Sequence, residues 1–141
     1  MVGQIKGYED EIKILNLYGP YKDWESFWTQ LVSSGLLQEP NLILEGNLNF
    51  TLSSYEVWGS KHRDPLSRFF NSLIRDAGLV DICPVQLGPT WRNGRVVAQG
   101  TTKGLDRFLM SDQMTVKLGM YRVWHVNSDF GSCSYLFTIG C

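Results

Sequence analysis

Histidine is scarce and cysteine is odd in number: the chain has two of the first and three of the second in 141 residues. Cys83, Cys133 and Cys141 show no Cys-x-x-Cys spacing and have no neighbouring histidine, which argues against a zinc site and against a disulfide framework. A reducing, intracellular setting is expected, compatible with the nucleus. No apolar run approaches the ~18 residues of a membrane-spanning helix, and the start "MVGQIKGYED" lacks the apolar stretch of a secretory signal. No membrane partner is therefore expected, and the sequon Asn49-Phe50-Thr51 is not expected to meet glycosylation machinery. An excess of one charge is missing too. Thirteen Lys and Arg against fourteen Asp and Glu leave a net charge of −1, which excludes a whole-molecule field drawing the chain to nucleic acid or lipid. Internal repeats and low-complexity linkers are absent.

What is present is an apolar pattern that changes period along the chain. With 43% hydrophobic residues, the chain can bury one sizeable core, and residues 1–141 read as a single domain. "EIKILNLY", stopped by Gly19-Pro20, suits a buried strand. From Asp23, Trp24, Phe27, Trp28, Leu31 and Val32 keep helical spacing, with Asp23 as N-cap and Gly35 as stop. "NLILEG" reads as a second strand, completing a crossover unit. Asp64 and Pro65 are expected to open a helix carrying Leu66, Phe69, Phe70, Leu73, Ile74 and Ala77, and Gly78 ends it. Beyond it, Asn93-Gly94 between "TWR" and "RVVAQ" predicts a hairpin, and "GLDRFLMS" and "MYRVWHV" predict further strands. The class is α/β, a mixed sheet covered by helices.

Within this frame the loop "EGNLNF" raises a chemical question. Strand ends in α/β enzymes are where acidic ligands collect, yet Asn47 and Asn49 stand here with no carboxylate between Gly46 and Phe50. A second local feature is basic. Between Trp91 and Phe108 lie Arg92, Arg95, Lys103 and Arg107 against Asp106 alone, which reads either as a strip for phosphate contact or as a solvated loop.

In order and spacing, "NLYGP", "LILEGNLNFTLSSYEVWG", "DPLSRFFNSLIRDAGLVDI", "GPTWRNGR" and "LDRFLMS" resemble the C-terminal half of the endonuclease/exonuclease/phosphatase superfamily. The likeness is to the apurinic-endonuclease-like domain that precedes reverse transcriptase in plant LINE-type retrotransposons. The resemblance implies part of a DNase I-like four-layer α-β-β-α sandwich with its N-terminal portion missing. It implies an ancestral magnesium-dependent hydrolysis that nicks DNA, a metal stabilising the phosphodiester while an aspartate orients or deprotonates water. Such a half-sandwich would expose an apolar sheet face, through which the chain could associate with itself.

Carried over residue by residue, the family's Gly-Asp-x-Asn loop corresponds to Gly46-Asn47-Leu48-Asn49, with an amide in the place of the acid. Tyr18 matches a tyrosine near the scissile phosphate, and Asp106 an aspartate that pairs with a catalytic histidine. That histidine has no counterpart: Ser128-Asp129-Phe130 places Phe130 there, and an alignment on "GSCSY" loses acid and histidine together. His125 reads as a strand residue and His62 as solvated loop. Thr90, Trp91 and Asn93 resemble a loop beside the substrate groove, where Arg92 and Arg95 could reach phosphates of DNA as the partner; the alternative is a hairpin with Trp91 in the core. Tight magnesium binding is not expected from amides. A working endonuclease, a decayed retroelement fragment and a non-catalytic nucleic-acid-binding module remain as readings, and the missing acid and histidine favour the second.

Overall fold

The computed structural model describes residues 2–4, 8–59, 64–93, 100–127 and 133–139. Along the chain run β1 (Val2–Gly3), β2 (Ile12–Asn16), α1 (Trp24–Ser33), β3 (Leu42–Asn47), β4 (Val57–Trp58), α2 (Ser67–Asp76) and β5 (Leu79–Asp81). They are followed by β6 (Trp91–Arg92), β7 (Thr102–Lys103), β8 (Asp106–Ser111), α3 (Asp112–Leu118), β9 (Tyr121–Asn127) and β10 (Cys133–Ile139). Five strands form a mixed sheet in the order β1-β2-β3-β8-β5, in which only β2 and β3 run parallel. Helix α1 makes the crossover between those two, as the sequence pattern anticipates. Strands β4, β7 and β6 form a small antiparallel sheet, and β9 pairs with β10.

The central strands are apolar on both faces because both faces are covered. Leu42, Leu44, Leu79 and Leu109 point to one side, where they meet Trp28 of α1 and Phe70 and Ile74 of α2. Phe50 stacks on Phe70 at 3.8 Å between ring centroids, and Trp28 meets both rings edge-on. Ile12, Ile43, Phe108 and Met110 point to the other side, against Ile82, Met114 of α3 and Val123 of β9. Each such fully buried side chain contributes about 1.5–3 kcal/mol. Both aromatic stripes anticipated from helical spacing are therefore core.

The structure departs from the sequence pattern in places. Helix α2 starts at Ser67, not at Pro65: Asp64 instead closes a turn, its Oδ1 accepting Leu66 N–H at 2.9 Å and its carbonyl accepting Ser67 N–H at 3.1 Å. The hairpin expected at Asn93-Gly94 involves residues 94–99, which lie outside the described residues. Trp91 and Arg92 are registered with Lys103 and Thr102, and Asn93 N–H donates to Thr101 O. Helix α3 escapes sequence reading because its seven residues offer only Met114 and Leu118 to a core, while Val116 is 81% exposed. Finally, the sheet face expected to lie bare is covered by the chain itself: Ile12, Ile43, Phe108 and Met110 are 1–8% exposed.

Two glycines set how closely β2 and β3 approach at their C-terminal ends. A Cβ on Gly46, whose φ is +129°, would fall onto the Leu17 carbonyl, and one on Gly19 onto the Leu48 carbonyl. Gly46→Ala combines this clash with backbone strain and is expected to cost about 2–4 kcal/mol. Gly119→Ala, with φ of +66° and no atom within 4 Å of the added carbon, is expected to cost about 1 kcal/mol. Urea denaturation of the two variants checks this, and equal losses would contradict the close approach.

Candidate active site

The pairing of β2 with β3 continues past their ends. Leu17 N–H donates to Glu45 O at 2.8 Å and Gly19 N–H to Asn47 O at 2.7 Å, so "NLYGP" and "EGNLN" are clamped side by side. Asn49 adopts φ +57°, a left-handed conformation that asparagine tolerates. Its Nδ2 donates to the Gly19 carbonyl, and its backbone N–H donates to Asn47 Oδ1 at 3.1 Å. Across the sheet, Asn47 is the registered partner of Asp106 on β8, and directly opposed residues project to the same face. Tyr18, between the two backbone rungs, is 73% exposed. Tyr18, Asn47, Asn49 and Asp106 are thus brought together at one end of the sheet.

Asp106 is half-buried and held by Thr90, whose Oγ1 accepts Leu105 N–H at 2.9 Å and Asp106 N–H at 3.1 Å. The same hydroxyl donates to the Asp106 carboxylate. Burial nevertheless dominates and pushes the Asp106 carboxyl above its ordinary range, with the Thr90 bond pulling the other way. Beside the pair, Asn16 Nδ2 donates to Glu45 Oε1 at 3.1 Å.

The second group of sequence-selected residues divides. Arg92 is exposed on β6 and Trp91 is half-buried. Asn93 is tied into the fold, its Oδ1 accepting Thr101 N–H at 3.2 Å. Arg95, His62 and the Ser128-Asp129-Phe130 stretch lie outside the described residues, and His125 belongs to β9. Arg107 is a correction: it is 4% exposed, so it cannot reach a phosphate on the surface. Its Nη1 bonds Asp81 Oδ2 at 2.8 Å, its Nη2 bonds Glu56 Oε2, and its guanidinium lies 5.3 Å from the Phe50 ring centroid. Glu56 also accepts the N–H groups of Leu52 and Ser53 at 2.6 and 3.2 Å. The carboxylates hold the Arg107 guanidinium above its usual range even though burial opposes its charge.

Glu56 and Asp81 were not anticipated. The Ser53-x-x-Glu56 spacing of a capping box carries a signal for the first, and nothing local carries one for the second.

With this geometry in hand, comparison with solved structures gives a clear relative. The endonuclease domain of TRAS1, a telomere-specific non-LTR retrotransposon, superposes with a TM-score of 0.66 at 21% identity. The match covers 98% of this chain, which spans 61% of that domain. No protein-family model matches the chain, and no curated protein sequence does. The chain thus shares the fold of that endonuclease domain.

Domains of that fold are generally metal-dependent, so the donor set matters. Octahedral magnesium wants one or two carboxylates as well as waters. Here Asn47 Oδ1 is engaged by Asn49 N–H and the Asn49 amide nitrogen by Gly19, and among the described residues Asp106 is the carboxylate registered opposite Asn47. Among the described residues no three His, Cys, Asp or Glu side chains converge to hold a metal. The donors described at this end of the sheet do not make up such a set.

Two measurements check these environments. Because the folded pKa of Asp106 is raised, its stabilising contribution is complete below the ordinary carboxylate range and is lost as pH rises through the folded value. Asp106→Asn is therefore expected to gain on the parent chain as pH climbs from about 4 to 7, in urea midpoints read across that range; a pH-independent difference would contradict it. Arg107→Ala leaves two inward carboxylates uncompensated and is expected to cost about 3–5 kcal/mol. A loss below ~1 kcal/mol would place the guanidinium in water.

Proposed function

We propose that the chain is a retrotransposon-type endonuclease domain whose hydrolytic site is degenerate, so that phosphodiester turnover is low or undetectable. The observation that carries this reading is the placement of Asn47: directly across from Asp106, at the loop position the family fills with an aspartate, with its side-chain oxygen committed to the Asn49 N–H. An amide oxygen accepts a hydrogen bond from water, but it takes no proton at neutral pH and supplies no negative charge. General-base catalysis contributes about 10² to 10⁴-fold, and that factor is forfeited. Tyr18 keeps a phenol in solvent at the same sheet end, able to donate to a phosphate oxygen. Magnesium belongs to the ancestral reaction in this reading.

Contact with DNA is a second, compatible reading, favoured by the exposure of Arg92 and by Lys103 on the neighbouring strand. Phosphate contacts of this kind position a protein on nucleic acid without reading sequence. The expected outcome with supercoiled plasmid, micromolar protein and millimolar Mg²⁺ is no nicking, with or without an abasic site. Robust nicking abolished by chelator would overturn the degenerate-site reading.

A further inference from the structure

Beside the clamped loops, on the helical side of the sheet, lies a cavity of about 170 Å³. Tyr21, Trp24, Trp28 and Phe70 give it aromatic walls, and Asn49 and Lys103 are among its polar lining. It is smaller than the roughly 300–1,000 Å³ typical of pockets for drug-sized ligands, so it admits a single ring system. Its inner wall is rigid, because Trp24 packs edge-on against Phe69 at 5.0 Å and Trp28 is 1% exposed. Tyr21 contrasts with these rings. It lines the cavity yet is 73% exposed, leaving the face of a large aromatic ring without a partner at the mouth.

The polar groups specify the rest of the ligand. Lys103 Nζ has no ion-pair partner among the described residues, so a cation is available. The carboxylate in the lining, Asp64, is already engaged by Thr51 N–H and Oγ1 at 3.3 Å and by Leu66 N–H at 2.9 Å. Asn49 spends its Nδ2 on Gly19 and keeps its amide oxygen as an acceptor. A flat ring with N–H donors on its edge, joined to an anion, satisfies all three features.

We propose that this cavity holds one unpaired nucleotide, its base against the Tyr21 ring with an edge toward Asn49, and its phosphate on Lys103. The assignment deepens the nucleic-acid reading above and rests on it for the class of ligand. A base inside a duplex cannot enter, because both its faces are stacked on neighbours. The nucleotide comes either from a single strand or from a free mononucleotide.

The test is fluorescence anisotropy of the whole chain with a labelled ten-nucleotide thymidine strand, the same strand annealed to its complement, and unlabelled thymidine monophosphate as competitor. The single strand is expected to bind at least tenfold tighter than the duplex. Tyr21→Ala is expected to weaken single-strand binding about 5- to 150-fold, the range of one base–aromatic stack, and Tyr21→Phe to restore it. Lys103→Gln is expected to lower the salt slope by about 0.7. Tyr55→Ala, which alters an equally exposed ring outside the cavity, is expected to change nothing.

Competition by the mononucleotide identifies the free nucleotide as sufficient, and its failure alongside Tyr21-dependent strand binding identifies the polynucleotide. Single-strand binding that is absent, or indifferent to Tyr21→Ala in a variant with unchanged circular dichroism, overturns the proposal. Duplex binding that survives Tyr21→Ala and is lost in Arg92→Ala would overturn the cavity while sparing the DNA-contact reading.

Discussion

The site depends on a backbone interlock between two loops. Gly19 donates to Asn47 O, Asn49 donates back to Gly19 O, and the glycines at 19 and 46 leave no room for a side chain between the strands. Once Leu17 to Gly19 lies against Glu45 to Asn49, the direction of each neighbouring side chain is fixed. Tyr18 is turned out to solvent, Asn47 faces Asp106, and Asn49 is held in a left-handed turn. The same contacts put Asn49 at the edge of the aromatic cavity, so one interlock serves both the Asn47–Asp106 end of the sheet and the helical side.

Below that end, the scaffold is braced by charge as well as by apolar packing. Arg107 sits within the sheet and pairs with both Glu56 and Asp81, which belong to two different segments, while its guanidinium covers the Phe50 ring. Desolvating three charges is expensive unless they satisfy one another, and this arrangement also ties the 52–56 turn and the end of β5 to the central strand. The architecture therefore does not depend on which side chain occupies the Asn47 loop. At position 47 an amide serves the turn as well as a carboxylate would, because the side-chain oxygen of either accepts the Asn49 N–H.

Much of this was legible in the sequence, and the limits have physical causes. Strands β2, β3 and β8 and helices α1 and α2 declare themselves because their apolar residues follow one period over five or more positions. Helix α3 does not, since two core contacts in seven residues make no pattern. The loop Gly46-Asn47-Leu48-Asn49 could be placed by its likeness to a family motif, and the register of β3 with β8 sets Asn47 opposite Asp106. Arg107 was misread as a surface cation, although "LDRFLMS" holds the clue. In an alternating strand, Arg107 shares its face with Leu109 and Leu105, so it had to be inside and had to find carboxylates. Its partners come from residues 51 and 26 positions away, a distance that local patterns do not span. The Asn-Gly hairpin signal falls on residues 94–99, outside the described ones; Trp91 and Arg92 pair with Lys103 and Thr102.

At the centre of the account is the claim that the Asn47 loop is a hydrogen-bonded turn and not a cation site. The most direct measurement is a manganese titration of the isotope-labelled chain, following paramagnetic broadening of backbone amide resonances. The account requires that Glu45 to Asn49 and Asp106 broaden no more than exposed residues elsewhere, up to millimolar metal. Saturable broadening centred on Asn47 at micromolar manganese would contradict it.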